Sequence, residues 1–192
     1  QVVPGFTDPA SDFDVLRQMA ARSGRPLSAS LAQSHERPQA WRQVLGMMEV
    51  ASRDGLDITG QVFGRAIGML MGLNLAVNPF SFHPAYAKLA GLPLGERVAA
   101  LGRPEVRAAL LAEQPQSAGP IDGRAMLRAT DLEGIYELGD PPDYEPRPGR
   151  SIAERARALG RRPEELALDL LLADGGRRVF MRPLHNLSLI HI

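Results

Sequence analysis

The chain has 192 residues, of which 44% are hydrophobic and 23% are charged, and its 22 basic and 22 acidic residues give a formal net charge of zero. A chain of this length can bury a sizeable core, and the charge balance argues against a dedicated nucleic-acid or anionic-membrane binder. Because the chain has no cysteine, disulfides and thiolate metal sites are excluded. The first residues show no signal-peptide pattern, and we expect a cytoplasmic protein.

The first pattern along the chain is a strand end followed by a helix. Residues 2–3 are apolar and lead into a turn. An apolar stripe at 15–20 predicts a helix that stops at Gly24. Ser11 and Asp14 stand at the spacing of a capping box, so we expect the helix to begin there.

A second strand, a second helix and a third strand follow. Residues 26–31 alternate apolar with small polar side chains, and from Trp41 onward the segment 38–53 has apolar residues at i, i+3, i+4 and i+7. Residues 58–63 alternate again, and the glycines of 64–72 predict a loop after this strand. The β-α-β-α-β order predicts adjacent parallel strands with both helices on one face.

The remaining sequence is mainly helical. Helices are expected at 84–90, 94–102, 104–113, 152–160 and 163–175, and strands at 132–138 and 177–181. Residues 78–84 predict an extended, proline-bounded turn, and residues 141–146 predict an extended segment. Ser151 and Glu154 form a capping box for the fourth of these helices. Pro163 at the first position of the last helix supports its predicted start.

Several short motifs occur in a fixed order along this framework. They are GRPLSASLAQ at 24–33, AWR at 40–42, GLDITGQVFGRAIGMLMGL at 55–73, NPF at 78–80, LPLGERVAAL at 92–101, DPPDYEP at 140–146, SIA at 151–153 and PEELALDLLLADGG at 163–176. Together they resemble the N-acyl-D-amino-acid deacylase (D-aminoacylase-like) branch of the amidohydrolase superfamily. The similarity extends to about residue 186. It depends on the order of the whole set of motifs, since each motif alone is short and unspecific.

The resemblance implies an α/β fold, here a fragment of a (β/α)8 TIM-type barrel with a helical insertion. It also implies a zinc-dependent hydrolase in which the metal polarises the amide carbonyl and lowers the pKa of a bound water. The implied substrates are N-acyl-D-amino acids or similar small amides, with no nucleic-acid or membrane partner. The implied divisions are βα units at 1–73, a helical and loop insertion at 74–148, and helices and a last strand at 149–186. Residues 187–192 follow no helix or strand pattern, and we expect a non-native or disordered tail there.

The departures from the family pattern concern the metal ligands. The family's histidine-bearing strand matches residues 28–31, which contain no histidine, and the early His-x-His pair and the late aspartate have no counterpart. We therefore expect zinc only in the full-length parent, with no catalytic residue and no metal ligand in this chain, which should be inactive alone. The strand without histidine favours an alternative, a non-catalytic amidohydrolase-like binding or scaffold protein.

Four side chains are candidates for substrate binding. Arg65 stands in the glycine-rich segment after the third strand, where a guanidinium could bind a substrate carboxylate with two hydrogen bonds. The alternative is a structural arginine that holds the loop. Ser28, Ser30 and Gln61 would point into the barrel near its mouth, or serve only as polar filler.

The histidines and the proline-flanked acids favour structural interpretations. The histidines are His35, His83, His185 and His191. No two of them have the spacing of a helical or strand metal site, although His35 could be a displaced ligand. Asp140, Asp143 and Glu145 could be taken for glycosidase carboxylates, but the prolines around them favour turns.

Overall fold

The structure, a computed structural model, describes residues 1–4, 8–33, 37–64, 67–116 and 129–185. Over these residues the fold is mixed α/β, with seven α-helices and two small open sheets. The chain divides into two compact units, Gln1–Ile67 with Leu184–Ile192, and Gly68–Pro183. The predicted divisions at 1–73, 74–148 and 149–186 follow the family resemblance rather than compactness, and they stay predictions.

The elements occur in the following ranges. The helices are α1 (Pro9–Ser23), α2 (Ala40–Arg53), α3 (Pro84–Ala87), α4 (Leu94–Leu101), α5 (Pro104–Ala112), α6 (Ile152–Ala158) and α7 (Pro163–Gly176). The strands are β1 (Leu27–Ser30), β2 (Ile58–Gln61), β3 (Ile67–Met71), β4 (Tyr136–Glu137) and β5 (Phe180–His185), and a 3-10 helix covers Leu132–Gly134. None of the helices in the described ranges is long and apolar enough to cross a membrane.

The first unit confirms the predicted parallel pairing of the strands near residues 27–30 and 58–61, whereas the strand end predicted at 2–3 is one isolated bridge. β1 pairs with β2 in parallel, and Val2 forms a parallel bridge to Ala29 on the other side of β1. α1 and α2 pack on each other and cover one face of these strands. The core of the unit consists of Phe13, Leu16, Ala20, Leu27, Ala29, Leu31, Val44, Met48, Ala51 and Ile58.

The first helix ends where predicted but begins earlier. It stops at Gly24, which adopts the left-handed φ of 61° that favours glycine after a helix. The capping box at Ser11 is wrong, because Asp8 is the N-cap and accepts hydrogen bonds from the backbone N–H groups of Ala10 and Ser11 at 3.2 and 3.4 Å. Pro9 then takes the first helical position, where its missing N–H costs nothing.

The glycine-rich segment is largely a strand, so the loop predicted for 64–72 is wrong over Ile67–Met71. β3 forms a sheet in which β5 is the central strand between β3 and β4. A Cβ at Gly68 would lie 3.1 Å from the carbonyl oxygen of Arg182, and one at Gly72 would lie 3.1 Å from that of Arg178. These glycines therefore allow the neighbouring backbone to approach closely, a use of glycine in strands that the sequence pattern cannot distinguish from a loop.

The second unit has its own core and keeps most of the predicted helices. Its fully buried residues include Met71, Leu73, Leu101, Leu110, Ile135, Ile152, Leu168, Leu171 and Phe180. The capping box before α6 is confirmed, since the Ser151 hydroxyl and the Glu154 carboxylate each accept from the other residue's backbone N–H.

Three predicted segments of this unit differ in detail. The strand predicted at 132–138 is a 3-10 helix followed by β4, and the last strand begins at Phe180 rather than Arg177. Residues 139–142 form a turn with a cis Asp140–Pro141 bond, so the segment predicted to be extended at 141–146 is wrong at its start.

Candidate functional site

Four polar side chains share one face of the β1–β2 pair. In the parallel register Ser28 lies beside Thr59, and Ser30 lies beside Gln61. Because side chains alternate between the two faces of a strand, these four point the same way. We call this set, Ser28, Ser30, Thr59 and Gln61, the polar strand face.

The opposite face is the one covered by the helices. A Cβ placed on Gly60 would lie 3.2 Å from the Met48 sulfur and 3.3 Å from Cδ2 of Leu31. Position 60 therefore points toward α2, and glycine there leaves room for the close approach of the Met48 side chain. It follows that positions 59 and 61 point away from the helices.

Exposure differs across the polar strand face. Thr59 and Gln61 are exposed and Ser28 is half-buried, whereas Ser30 is only 5% exposed. The Thr59 hydroxyl donates to the carbonyl oxygen of Leu27 at 3.5 Å. The Ser30 hydroxyl has no hydrogen-bond partner within the described part of the chain, and leaving a buried hydroxyl unpaired costs about 1–3 kcal/mol.

The location of this face agrees with the site expected from parallel α/β architecture. Ser30 and Gln61 are the last residues of β1 and β2, so both lie at the carboxyl ends of parallel strands. Binding sites of α/β folds lie at such ends. Hydroxyl and amide groups donate and accept hydrogen bonds without titrating near neutral pH, so these side chains suit ligand binding rather than proton transfer.

The structure thus brings together three of the four predicted substrate-binding residues, Ser28, Ser30 and Gln61. The fourth, Arg65, lies outside the described residues, as do His35, His191 and the tail at 187–192. Thr59 was missed as a candidate, although its alternation with Gly60 places it on the same face as Gln61. Thr59 is identified by its position beside Ser28 in the parallel pair, and this position is known only once the two strands are paired.

The zinc centre implied by the resemblance does not fit the donor set of the described residues. Nowhere in the described ranges do three or more histidine, cysteine, aspartate or glutamate side chains converge so that they could hold a metal ion. Zinc sites in proteins use three or four such ligands. The polar strand face offers hydroxyl and amide groups instead, so no chemical step at a metal is assigned to these residues.

Comparisons with protein-family models, with curated proteins and with solved structures find no match to this chain. The functional assignment therefore depends on the geometry of the polar strand face and on the ordered motifs of the sequence.

Proposed function

We propose that this chain forms part of the substrate-binding wall of a metal-dependent amidohydrolase, a (β/α)8 barrel enzyme that hydrolyses N-acyl-D-amino acids or similar amides. The observation that carries the proposal is the polar strand face. Two parallel strands place hydroxyl and amide groups at their carboxyl ends, while two helices cover the other face. The ordered motifs that resemble the deacylases support the same assignment.

The chemistry of this face suits the proposed substrate. An N-acyl amino acid presents a carboxylate and an amide, both of which need hydrogen-bond partners when they leave water. The Gln61 side chain can donate to a carboxylate oxygen and accept from an amide N–H. The Ser30 hydroxyl, which is buried and unpaired within the described residues, would gain a partner if an adjoining polar group of the substrate reached it.

In this proposal zinc belongs to the full-length parent, where it would polarise the amide carbonyl and activate water. Its ligands would come from the parent outside these 192 residues, and the 192-residue chain alone would be inactive. The parent enzyme would act in the cytoplasm on a small-molecule substrate, without a nucleic-acid or membrane partner. The region 74–148 would be an insertion in the barrel.

A non-catalytic amidohydrolase-like binding or scaffold protein is the second candidate. The observation that favours it is the identity of β1, which carries Ser28 and Ser30 where the family has a histidine. Such a protein would keep the barrel and the polar strand face without the metal centre. It would bind an amide and release no product.

Hydrolysis of N-acetyl-D-leucine tests the proposal, measured with the protein encoded by the complete reading frame that contains this chain. We expect zinc-dependent release of D-leucine, and Gln61→Ala should lower kcat/KM about tenfold or more if its hydrogen bond to substrate is lost. Gln43→Ala, on the exposed surface of α2, is the matched control and should have no effect. Binding without release of D-leucine would favour the scaffold instead.

Arg65 has a separate test in the same enzyme. Arg65→Lys keeps the charge but removes the two-pronged geometry of the guanidinium. If Arg65 binds the substrate carboxylate, we expect kcat/KM to fall about tenfold for N-acyl amino acids and less for neutral amides. Equal losses on both substrate types would assign Arg65 a structural role in its loop.

A further inference from the structure

The second unit contains a cleft whose residues take no part in the proposed deacylase site. It has a volume of about 250 Å³. We call it the His83 cleft. Its apolar wall includes Phe80, Leu110 and Leu132, and its charged or titratable side chains are His83, Glu113, Arg162 and Glu164.

His83 is the buried polar group of this cleft. Its side chain is only 7% exposed, and its Nδ1 atom is buried with no hydrogen-bond partner in the described part of the chain. The imidazole lies beside the Phe80 ring, with the ring centroids 5.5 Å apart. An unpaired buried nitrogen is costly. Because His83 lines the cleft, a ligand group that reached Nδ1 would supply the missing hydrogen bond.

The turn that carries His83 is held firmly in place. Asn78 accepts a hydrogen bond from the Phe80 backbone N–H at 2.9 Å and donates from its side chain to the Tyr86 hydroxyl at 2.7 Å. The backbone N–H of Gln116, after α5, donates to the carbonyl oxygen of Phe82 at 2.7 Å. The cleft is therefore preorganised, because the backbone on both sides of His83 is anchored to buried or hydrogen-bonded groups.

Two acidic residues line the cleft together with His83 and act electrostatically on its imidazole. Glu113 follows α5 and accepts from the Ala85 backbone N–H at 2.7 Å, which fixes its carboxylate beside the start of α3. Glu164 lies in the first turn of α7, and its Oε2 is 3.7 Å from Nε of Arg162. Arg162 also donates to the carbonyl oxygen of Leu111 at 3.2 Å, so part of its hydrogen-bonding capacity is already used within the protein.

Among the described residues that line the cleft, the balance of charge is negative. Glu113 and Glu164 contribute two carboxylates and Arg162 one guanidinium. Burial lowers the pKa of His83 below its ordinary value of 6.5, although the Phe80 carbonyl and both carboxylates act in the opposite direction. At neutral pH the imidazole is therefore uncharged, and a neutral Nδ1 can accept a hydrogen bond when the proton is on Nε2.

We propose that the His83 cleft binds a small organic cation, a primary ammonium group attached to a short apolar body. The ammonium carries three donors, and the unpaired Nδ1 of His83 and the two carboxylates are the acceptors that match them. The apolar body would contact Phe80, Leu110 and Leu132. A small carboxylate is the competing ligand, since Arg162 could bind it, but it would be repelled by Glu113 and Glu164.

The test is a calorimetric and NMR titration of the 192-residue chain with three probes of equal length, hexylammonium, hexanol and hexanoate. We expect hexylammonium to bind most tightly and to shift the imidazole signals of His83. Equal or tighter binding of hexanol or hexanoate would overturn the proposal of a cation site. Failure of all three probes to shift the His83 signals would overturn the proposal of a site.

Variants then identify the groups that bind the ammonium. Glu164→Gln and Glu113→Gln remove one charge each, and glutamine at 113 can still accept from the Ala85 N–H. We expect each variant to weaken hexylammonium binding about tenfold or more, the effect of losing a charge-assisted hydrogen bond. Glu105→Gln, on the exposed surface of α5, is the matched control. An equal loss in Glu105→Gln would mean that only net charge matters and would overturn the assigned contacts.

Discussion

At the scale of single residues, two buried serines have opposite hydrogen-bonding states. The Ser30 hydroxyl is unpaired within the described residues, whereas the Ser151 hydroxyl accepts from the Glu154 backbone N–H at 3.2 Å. A buried hydroxyl that is kept without a partner lowers stability. In our proposal that loss is tolerated because Ser30 belongs to a binding face.

Ser30→Ala should therefore stabilise the chain. Removal of the unpaired hydroxyl is expected to raise the free energy of unfolding by about 1 kcal/mol, as measured by urea denaturation. Ser151→Ala makes the same chemical change at a helix cap and should lower that free energy by about 1 kcal/mol. If both variants lost stability, the Ser30 hydroxyl would have a structural partner and the binding role would lose its support.

His83 gives the chain a predicted pH dependence. Its pKa in the folded chain is lowered from 6.5 mainly by burial, so below this pH the unfolded chain takes up the proton first. The contribution of His83 to the free energy of unfolding is therefore fully present above the ordinary histidine pKa. It decreases as the pH falls from there toward the lower pKa that His83 has in the folded chain. Among the described residues, the charged groups that line the same cleft are Glu113, Glu164 and Arg162.

We predict that denaturation between pH 7 and pH 5 will show a smaller loss of stability in His83→Asn than in the wild type. The difference between the two curves should begin near the ordinary histidine pKa, because the variant has no proton to take up at this position. Identical slopes for the two proteins would contradict the lowered pKa of His83.

At the scale of elements, the parallel β1–β2 unit is the part that the sequence predicts best. Strand alternation and the helical spacing from Trp41 identify these elements because one face of each is buried against the same core. That order predicts that the two strands are adjacent and parallel. The register that places Ser30 beside Gln61 and Ser28 beside Thr59 requires the strand pairing itself, which no local pattern contains.

β3 shows why other elements could not be predicted. Gly68 and Gly72 have the composition of a loop, but their close contacts are with the backbone of Arg182 in β5 and of Arg178 just before it, more than a hundred positions later in the chain. The predicted start of α1 was wrong for a more local reason. Asp8 and Pro9 precede the apolar stripe, so the pattern of Ser11 and Asp14 was a weaker competitor for the same helix end.

Gly68→Val should destabilise the second unit. The new Cβ would lie 3.1 Å from the backbone carbonyl of Arg182, and a backbone group cannot move aside as a flexible side chain can. We expect a loss of about 1–3 kcal/mol in the free energy of unfolding. Gly46→Ala, within α2 where a Cβ meets nothing within 4 Å, should instead gain about 0.5–1 kcal/mol.

Denaturation of both glycine variants, monitored by circular dichroism, checks this account of β3. A Gly68→Val protein as stable as the wild type would show that β3 and β5 do not approach as closely as described. A loss in Gly46→Ala would show that α2 has a neighbour at that position.

At the scale of the whole molecule, the two units carry different proposed roles. The unit that contains β1 and β2 holds the polar strand face, and the unit that contains α3 to α7 holds the His83 cleft. Each has its own buried core. The resemblance also implies a zinc centre. Within the described residues, neither unit contains a group of side chains that could hold a metal ion.

Calorimetric titration with zinc measures this directly. We predict no tight one-to-one site in the 192-residue chain, because its four histidines stand at unrelated spacings and a specific site needs three or four converging ligands. A stoichiometric site would contradict the prediction, and His35→Ala would then show whether that residue is a ligand.

The polar strand face is the central claim, and an NMR titration of the 15N-labelled chain with N-acetyl-D-leucine tests it most directly. We predict that the backbone amides of Ser30, Thr59 and Gln61 and the side-chain amide of Gln61 will shift with a common saturable dependence on ligand concentration. Gln61→Ala should weaken that binding, while Gln43→Ala should leave it unchanged. Shifts confined to other parts of the chain, or no saturable shift at these residues, would contradict the claim.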